Sequence, residues 1–176
     1  MNVIVRPLLS LDEFLAWERE QELRYEFDGT QPIPMTGGTI AHARLVRLLT
    51  LALSRLLPSG YEPFGGDLKV LTAPNRVRYP DVVVVKDTPS PTADIIEPVI
   101  VFEILSPPTA LTDQRVKLGE YASVRTIAAY AILPQDDAKE VTILRRSTDW
   151  TPETVAETLN LPEVAISIPL RDLYRP

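Results

Sequence analysis

Asp81, Glu103 and Lys117 are the residues whose types and positions bring most chemistry to this sequence. Glu103 stands inside Val99-Ile100-Val101-Phe102-Glu103-Ile104-Leu105, a run that reads as a core strand. A carboxylate in such surroundings is costly unless it is paired, hydrogen-bonded or bound to a metal. Its bland reading is an ion pair with one of the arginines, and a functional reading is favoured over it. Asp81 follows Pro80 and precedes Val82-Val83-Val84-Val85. Alone it would be an ordinary turn acid at the mouth of a strand. Asp113 and Lys117, spaced by four, share a helix face, where an exposed pair contributes only ~0.3–0.5 kcal/mol by default. Their helix begins soon after the Glu103 strand, however, so its first turns can hang over that strand's carboxyl end, where ligand sites of such folds gather.

Two carboxylates and a lysine suit phosphodiester hydrolysis. The acids can hold a hard divalent cation, which lowers the pKa of bound water and offsets phosphate charge. The lysine can orient that water, help deprotonate it, or stabilise the developing negative charge. Composition narrows the metal. The chain has no cysteine and one histidine, His42, so thiolate sites and multi-imidazole zinc are excluded, and oxygen ligands favour Mg2+ or Mn2+. Charge runs the other way for a DNA enzyme: 18 Lys+Arg against 24 Asp+Glu give a net of −6. Nucleic acid would have to meet a local basic face, a dimer groove or the metal itself. Arg76 and Arg78 flank the approach to Asp81, and Arg115 adjoins Lys117. These could contact DNA phosphates, with solvated surface charge as the default for any one of them.

The elements that would position these groups follow from local pattern. Ser10-Leu11-Asp12-Glu13 is a capping box, predicting a short helix to about Glu20. Arg24 to Phe27 reads as a strand, Asp28-Gly29 as a hairpin turn, and Thr30 to Met35 as an edge strand marked by Pro32 and Pro34. Ile40 to Leu57 carries apolar residues at helical spacing. Short strands are expected near Tyr61–Phe64, Asp67–Leu71 and Val77–Tyr79. Buried strands are expected at Val82–Val85, Pro98–Leu105 and Ile127–Leu133, the last two parallel across a helix from about Thr112 to Val124. Lys139–Arg145 should form a hairpin with the third. A strand is expected at Glu153–Thr158, with Ile166–Leu173 packing back. With 176 residues and no linker or repeat, the chain reads as a single α/β domain spanning 1–176, a central mixed sheet flanked by helices.

The ordered segments RYPDVVVV, PVIVFEILSPPT and TDQRVKLGEYA resemble the Uma-type family of restriction endonucleases, a branch of the PD-(D/E)XK nuclease superfamily. Arg24–Gly29, Met35–His42 and Ile166–Tyr174 extend the resemblance over nearly the whole chain. The resemblance implies a restriction-endonuclease-like core and metal-dependent cleavage of DNA, with Asp81 and Glu103 as metal ligands. The superfamily lysine ordinarily lies two residues beyond the second acid, where this chain has Leu105; the resemblance implies that Lys117 replaces it from the following helix. Glu26 matches an acid that can assist a second metal or water, with pairing to Arg24 or its surroundings as an equal alternative. Asp113 would orient Lys117 or complete the site. His42 matches a recurring family position but, at a helix start, reads equally as structural and stands outside the catalytic set.

The expected activity is therefore a Mg2+- or Mn2+-dependent endodeoxyribonuclease, the alternative being an inert binding or structural module on the same architecture. A homodimer is expected, because two sites related by two-fold symmetry suit cleavage of both strands. No apolar run approaches the ~20 residues of a membrane span, and the amino terminus lacks a secretory pattern, so a cytoplasmic location is expected.

Overall fold

Alternation along one valine run organises the molecule. In the computed structural model, which describes residues 9–35, 37–72, 75–87, 90–105, 110–135 and 140–174 (110–115 by backbone alone), Val82 to Lys86 is strand β6. Val82 and Val84 join Leu45, Leu49 and Leu53 in one core, whereas Val83 and Val85 join Tyr121, Tyr130 and Ile132 in another. A strand exposes successive side chains to opposite faces, so a continuous β-branched run marks a sheet covered on both sides.

Ahead of β6 lie α1 (Leu11–Glu18), β1 (Tyr25–Phe27), β2 (Pro32–Pro34), α2 (Ile40–Leu56), β3 (Tyr61–Gly65), β4 (Val70–Thr72) and β5 (Arg76–Arg78). After it come β7 (Pro98–Leu105), α3 (Ala110–Ser123), β8 (Ala129–Pro134), β9 (Val141–Arg145), β10 (Pro152–Val155), β11 (Thr158–Leu161), β12 (Ile166–Pro169) and α4 (Leu170–Leu173). The central sheet has the order β10-β9-β8-β7-β6-β3. Its β7–β8 pair is parallel and joined through α3, while its other neighbours are antiparallel. Helix α2 covers one face through Leu45, Leu49 and Leu53; α3 reaches the other through Tyr121. Among the described residues no helix is long and apolar enough to cross a membrane.

A smaller antiparallel sheet, β2-β1-β5-β4, stands beside the central one. Phe27 of β1 and Val77 of β5 turn to α1, where the Phe14 ring stacks on Phe27 at 4.6 Å. The capping box that starts α1 forms as expected: the Ser10 amide donates to Glu13 Oε2 (2.8 Å) and the Glu13 amide to Ser10 Oγ (3.3 Å).

Local reading fails where the chain changes partner. The segment expected as one strand at Glu153–Thr158 divides, because Pro152–Val155 pairs with β9 while Thr158–Leu161 pairs with β12. Ile166–Leu173 packs back on the core as expected, as a strand and then a helical turn that begins after Pro169, whose φ is fixed. The Asp28-Gly29 turn is wider than a two-residue hairpin: Asp28 Oδ1 accepts the Thr30 and Gln31 amides, and Gly29 takes φ +91°.

Candidate active site

Parity on β7 sets the direction of the buried acid. Ile100, Phe102 and Ile104 point to the α2 core, so Val101 and Glu103 point to the α3 side. Glu103 is only 6 % exposed. Among the described residues its partners are not arginines. Lys117 Nζ donates to Glu103 Oε1 at 3.3 Å and Tyr121 OH donates to the same oxygen at 2.8 Å. Lys117 and Tyr121 are four apart on α3 and therefore descend together over the strand. Burial raises the Glu103 pKa above the ordinary glutamate value; the Lys117 charge opposes this, and the nearby charges of Asp81 and Glu26 reinforce it.

The antiparallel register pairs Val82 with Phe102 and Val83 with Val101, so its continuation sets Asp81 across from Glu103. The Ile104 amide donates to Asp81 Oδ2 at 2.7 Å. Its other oxygen, Oδ1, lies 3.0 Å from His42 Nε2. That contact places His42 in the site, which the sequence had left outside the catalytic set. Thr39 caps α2 by accepting the His42 amide and in turn donates to Gln135 Oε1 (2.7 Å) just beyond β8. Hydrogen bonding to Asp81 raises the His42 pKa, against the lowering effect of its partial burial.

The small sheet supplies the third wall. On β1, Tyr25 and Phe27 face α1, so Glu26 faces the opposite way; on β5, Val77 faces α1 while Arg76 and Arg78 face α3. Glu26 Oε1 lies 3.5 Å from Lys117 Nζ, and its Oε2 accepts from Arg78 at 3.1 Å. The alternative partner for Glu26, Arg24, is bound instead to Asp67 at 2.7 Å. Arg78 grips Glu120 of α3 through Nε (2.6 Å) and a terminal nitrogen (2.8 Å), and Arg76 and Thr72 bind the same carboxylate.

This geometry corrects the reading of Arg78. It is 4 % exposed, and its guanidinium lies between Glu120 and Glu26, so it is neither solvated nor open to a phosphate. Burial would lower its pKa, but the hydrogen bonds and charge of these acids outweigh that and hold it above the ordinary arginine value. Arg76 shares Glu120 yet keeps 35 % of its side chain exposed. Asp113 and Arg115 lie on α3, with side chains outside the described residues. Tyr121 and Glu120 were not singled out from sequence. Tyr121 had a usable signal, its four-residue spacing from Lys117.

The site thus holds Glu103 and Glu26 on one lysine, with Asp81 across from Glu103. Among the described residues, no group of three acids and imidazoles stands ready-made as a metal cluster. The donor set nonetheless fits a hard divalent cation. Its acids are oxygen ligands, mutual repulsion and burial disfavour the Glu103 charge, and Mg2+ commonly takes one or two carboxylates with water completing its shell.

The sequence pattern of the Uma2 family, described as "Putative restriction endonuclease", matches residues 11–171. Two uncharacterized proteins of Synechocystis sp. are 30 % identical to the chain. For sll1609 the match extends over 145 residues, 77 % of this chain and 80 % of that one. For slr1290 it extends over 178 aligned residues, 96 % of this chain and 93 % of that one. A crystal structure from Anabaena variabilis, described as "a putative nuclease belonging to DUF820", superposes with a TM-score of 0.76. It shares 20 % identity and covers 94 % of this chain and 97 % of its own. The fold is restriction-endonuclease-like, a central mixed sheet flanked by helices.

Proposed function

Because the chain belongs to the Uma2 family, the restriction-endonuclease family whose pattern it matches, we propose that it is a metal-dependent endonuclease hydrolysing DNA phosphodiester bonds. The observation that carries this reading is Glu103, a carboxylate buried in an apolar strand with Asp81 across from it and the Lys117 ammonium at 3.3 Å. A structural core would replace such an acid with an aliphatic residue at little cost. A site that handles phosphate requires it.

Asp81 and Glu103 would hold Mg2+ or Mn2+. When bound, the cation supplies a more acidic water and neutralises phosphate charge. Lys117, held between Glu26 and Glu103, orients the attacking water and stabilises charge on the phosphate oxygens as the bond to the leaving oxygen breaks. Glu26 fixes that lysine, and Asp113 assists it from the same helix. Arg76 and Arg115 are the cations proposed to meet DNA phosphates. The chain acts as one nuclease domain, in the cytoplasm, and as a homodimer when it cuts both strands of a duplex.

A supercoiled plasmid at low salt tests the reading, with Mg2+ and then Mn2+. Wild type is expected to nick it, and Asp81→Ala and Lys117→Ala to lose about 100-fold or more of the rate. Equal nicking by both variants would refute the residue assignment. A folded wild type that cuts with neither metal favours the inert-module reading, which Leu105 in the ordinary lysine position also supports.

A further inference from the structure

Both oxygens of Asp81 are already addressed by donors, and only one of those donors belongs to the sheet. The Ile104 amide, which binds Oδ2 at 2.7 Å, is backbone fixed by the β6–β7 and β7–β8 pairing. His42 Nε2, 3.0 Å from Oδ1, comes from the first turn of α2 on the far side of the carboxylate. We propose that His42 is a positioning residue for Asp81: its imidazole and the Ile104 amide together hold the carboxylate in the orientation in which it ligates the cation. This inference rests on the metal-dependent reading above and adds to it a residue and a device that builds it.

The device is local and legible. Thr39 fixes the start of α2 by accepting the His42 amide at 3.1 Å, and it is itself tied to Gln135 at 2.7 Å, so the imidazole is held relative to the end of β8. Gly38 leaves room for the ring. A Cβ at that position would lie 2.9 Å from His42 Nδ1, closer than side-chain carbons ordinarily come, so the ring or the backbone beside it would have to shift. With Nδ1 against Gly38 and Nε2 against Asp81, the tautomer that donates from Nε2 is the one that serves the carboxylate. Ligating carboxylates depend on such hydrogen-bonded partners for orientation, and losing one typically weakens metal binding about 10–100-fold.

The test is Mn2+ affinity of the full chain by titration calorimetry, with thermal unfolding recorded beside it. His42→Phe keeps a ring but removes the donor, and is expected to weaken Mn2+ about 10–100-fold. His42→Gln restores an N–H donor and should recover most of that loss, a rescue that a purely structural role would not give. Gly38→Ala retains the histidine while displacing it, and should weaken Mn2+ as well, so the proposal stays testable should His42→Phe fail to fold. Wild-type affinity in His42→Phe and Gly38→Ala overturns the inference alone. A wild-type chain that takes up no Mn2+ overturns the metal-dependent reading and this inference with it.

Discussion

Glu103 is the residue on which the site turns, and its neighbours divide the work of keeping an acid in a hydrophobic strand. Lys117 supplies opposite charge, while Tyr121 supplies a neutral hydroxyl from a fully buried ring that tilts against Tyr130 at 5.1 Å. Burial, together with the adjoining Glu103 charge, holds the Tyr121 hydroxyl well above the usual tyrosine range, so it remains a donor across the working pH range. Tyr121→Phe should therefore leave the carboxylate short of one hydrogen bond. We expect a stability loss of about 1.5–3 kcal/mol, the usual worth of a bond to a charged group, measured by urea unfolding. Because the ring lies beneath the strand, KM for plasmid should stay near wild type while kcat falls.

Between elements, the decisive joint is the one that clamps the small sheet to α3. Glu120 is buried and meets Arg78 through two nitrogens and Arg76 through one, and Arg78 then reaches Glu26. A single chain of ion pairs thus links α3, β5 and β1 to the lysine over Glu103. Removing one partner from a buried pair leaves the other charge uncompensated. Glu120→Gln is accordingly expected to cost about 3–5 kcal/mol in thermal or urea unfolding at neutral pH. A variant as stable as wild type would mean that Arg78 is satisfied by Glu26 alone.

For the whole molecule, a net charge of −6 coexists with cations committed to internal pairs at Arg24, Lys69, Arg76, Arg78, Lys117 and Arg145. Two acids in such contacts have lowered pKa values: Asp94 through the Lys69 hydrogen bond, and Glu120, where the bonds from Arg78 and Arg76 outweigh the upward push of burial. An acid whose folded pKa is depressed contributes stability above its unfolded value, 4.5 for Glu120, and that contribution is lost as pH falls towards the folded value. The melting temperature of wild type should therefore drop as the pH is lowered below about 4.5, as linkage requires. The gap between wild type and Glu120→Gln should narrow over the same range, which melting curves at pH 7 and pH 4 would show; a constant gap would contradict the linkage.

What the sequence determined by itself was whatever depends on neighbours along the chain. The Ser10 capping box, the apolar stripe of α2, the two-faced valine run and the β7–α3–β8 crossover follow from turn chemistry and periodicity, which need no knowledge of tertiary partners. Burial of Glu103 was legible for the same reason, since its flanking residues announce a core strand. Only the tertiary structure decided which surfaces met. His42 reached Asp81 because α2 docks with its first turn at the mouth of β6, Arg78 was enclosed because β5 turns its charged face to α3, and the segment 152–161 was divided between two sheets. Periodicity tells which face of an element is buried; what lies against that face is set by long-range packing, and no local pattern encodes it.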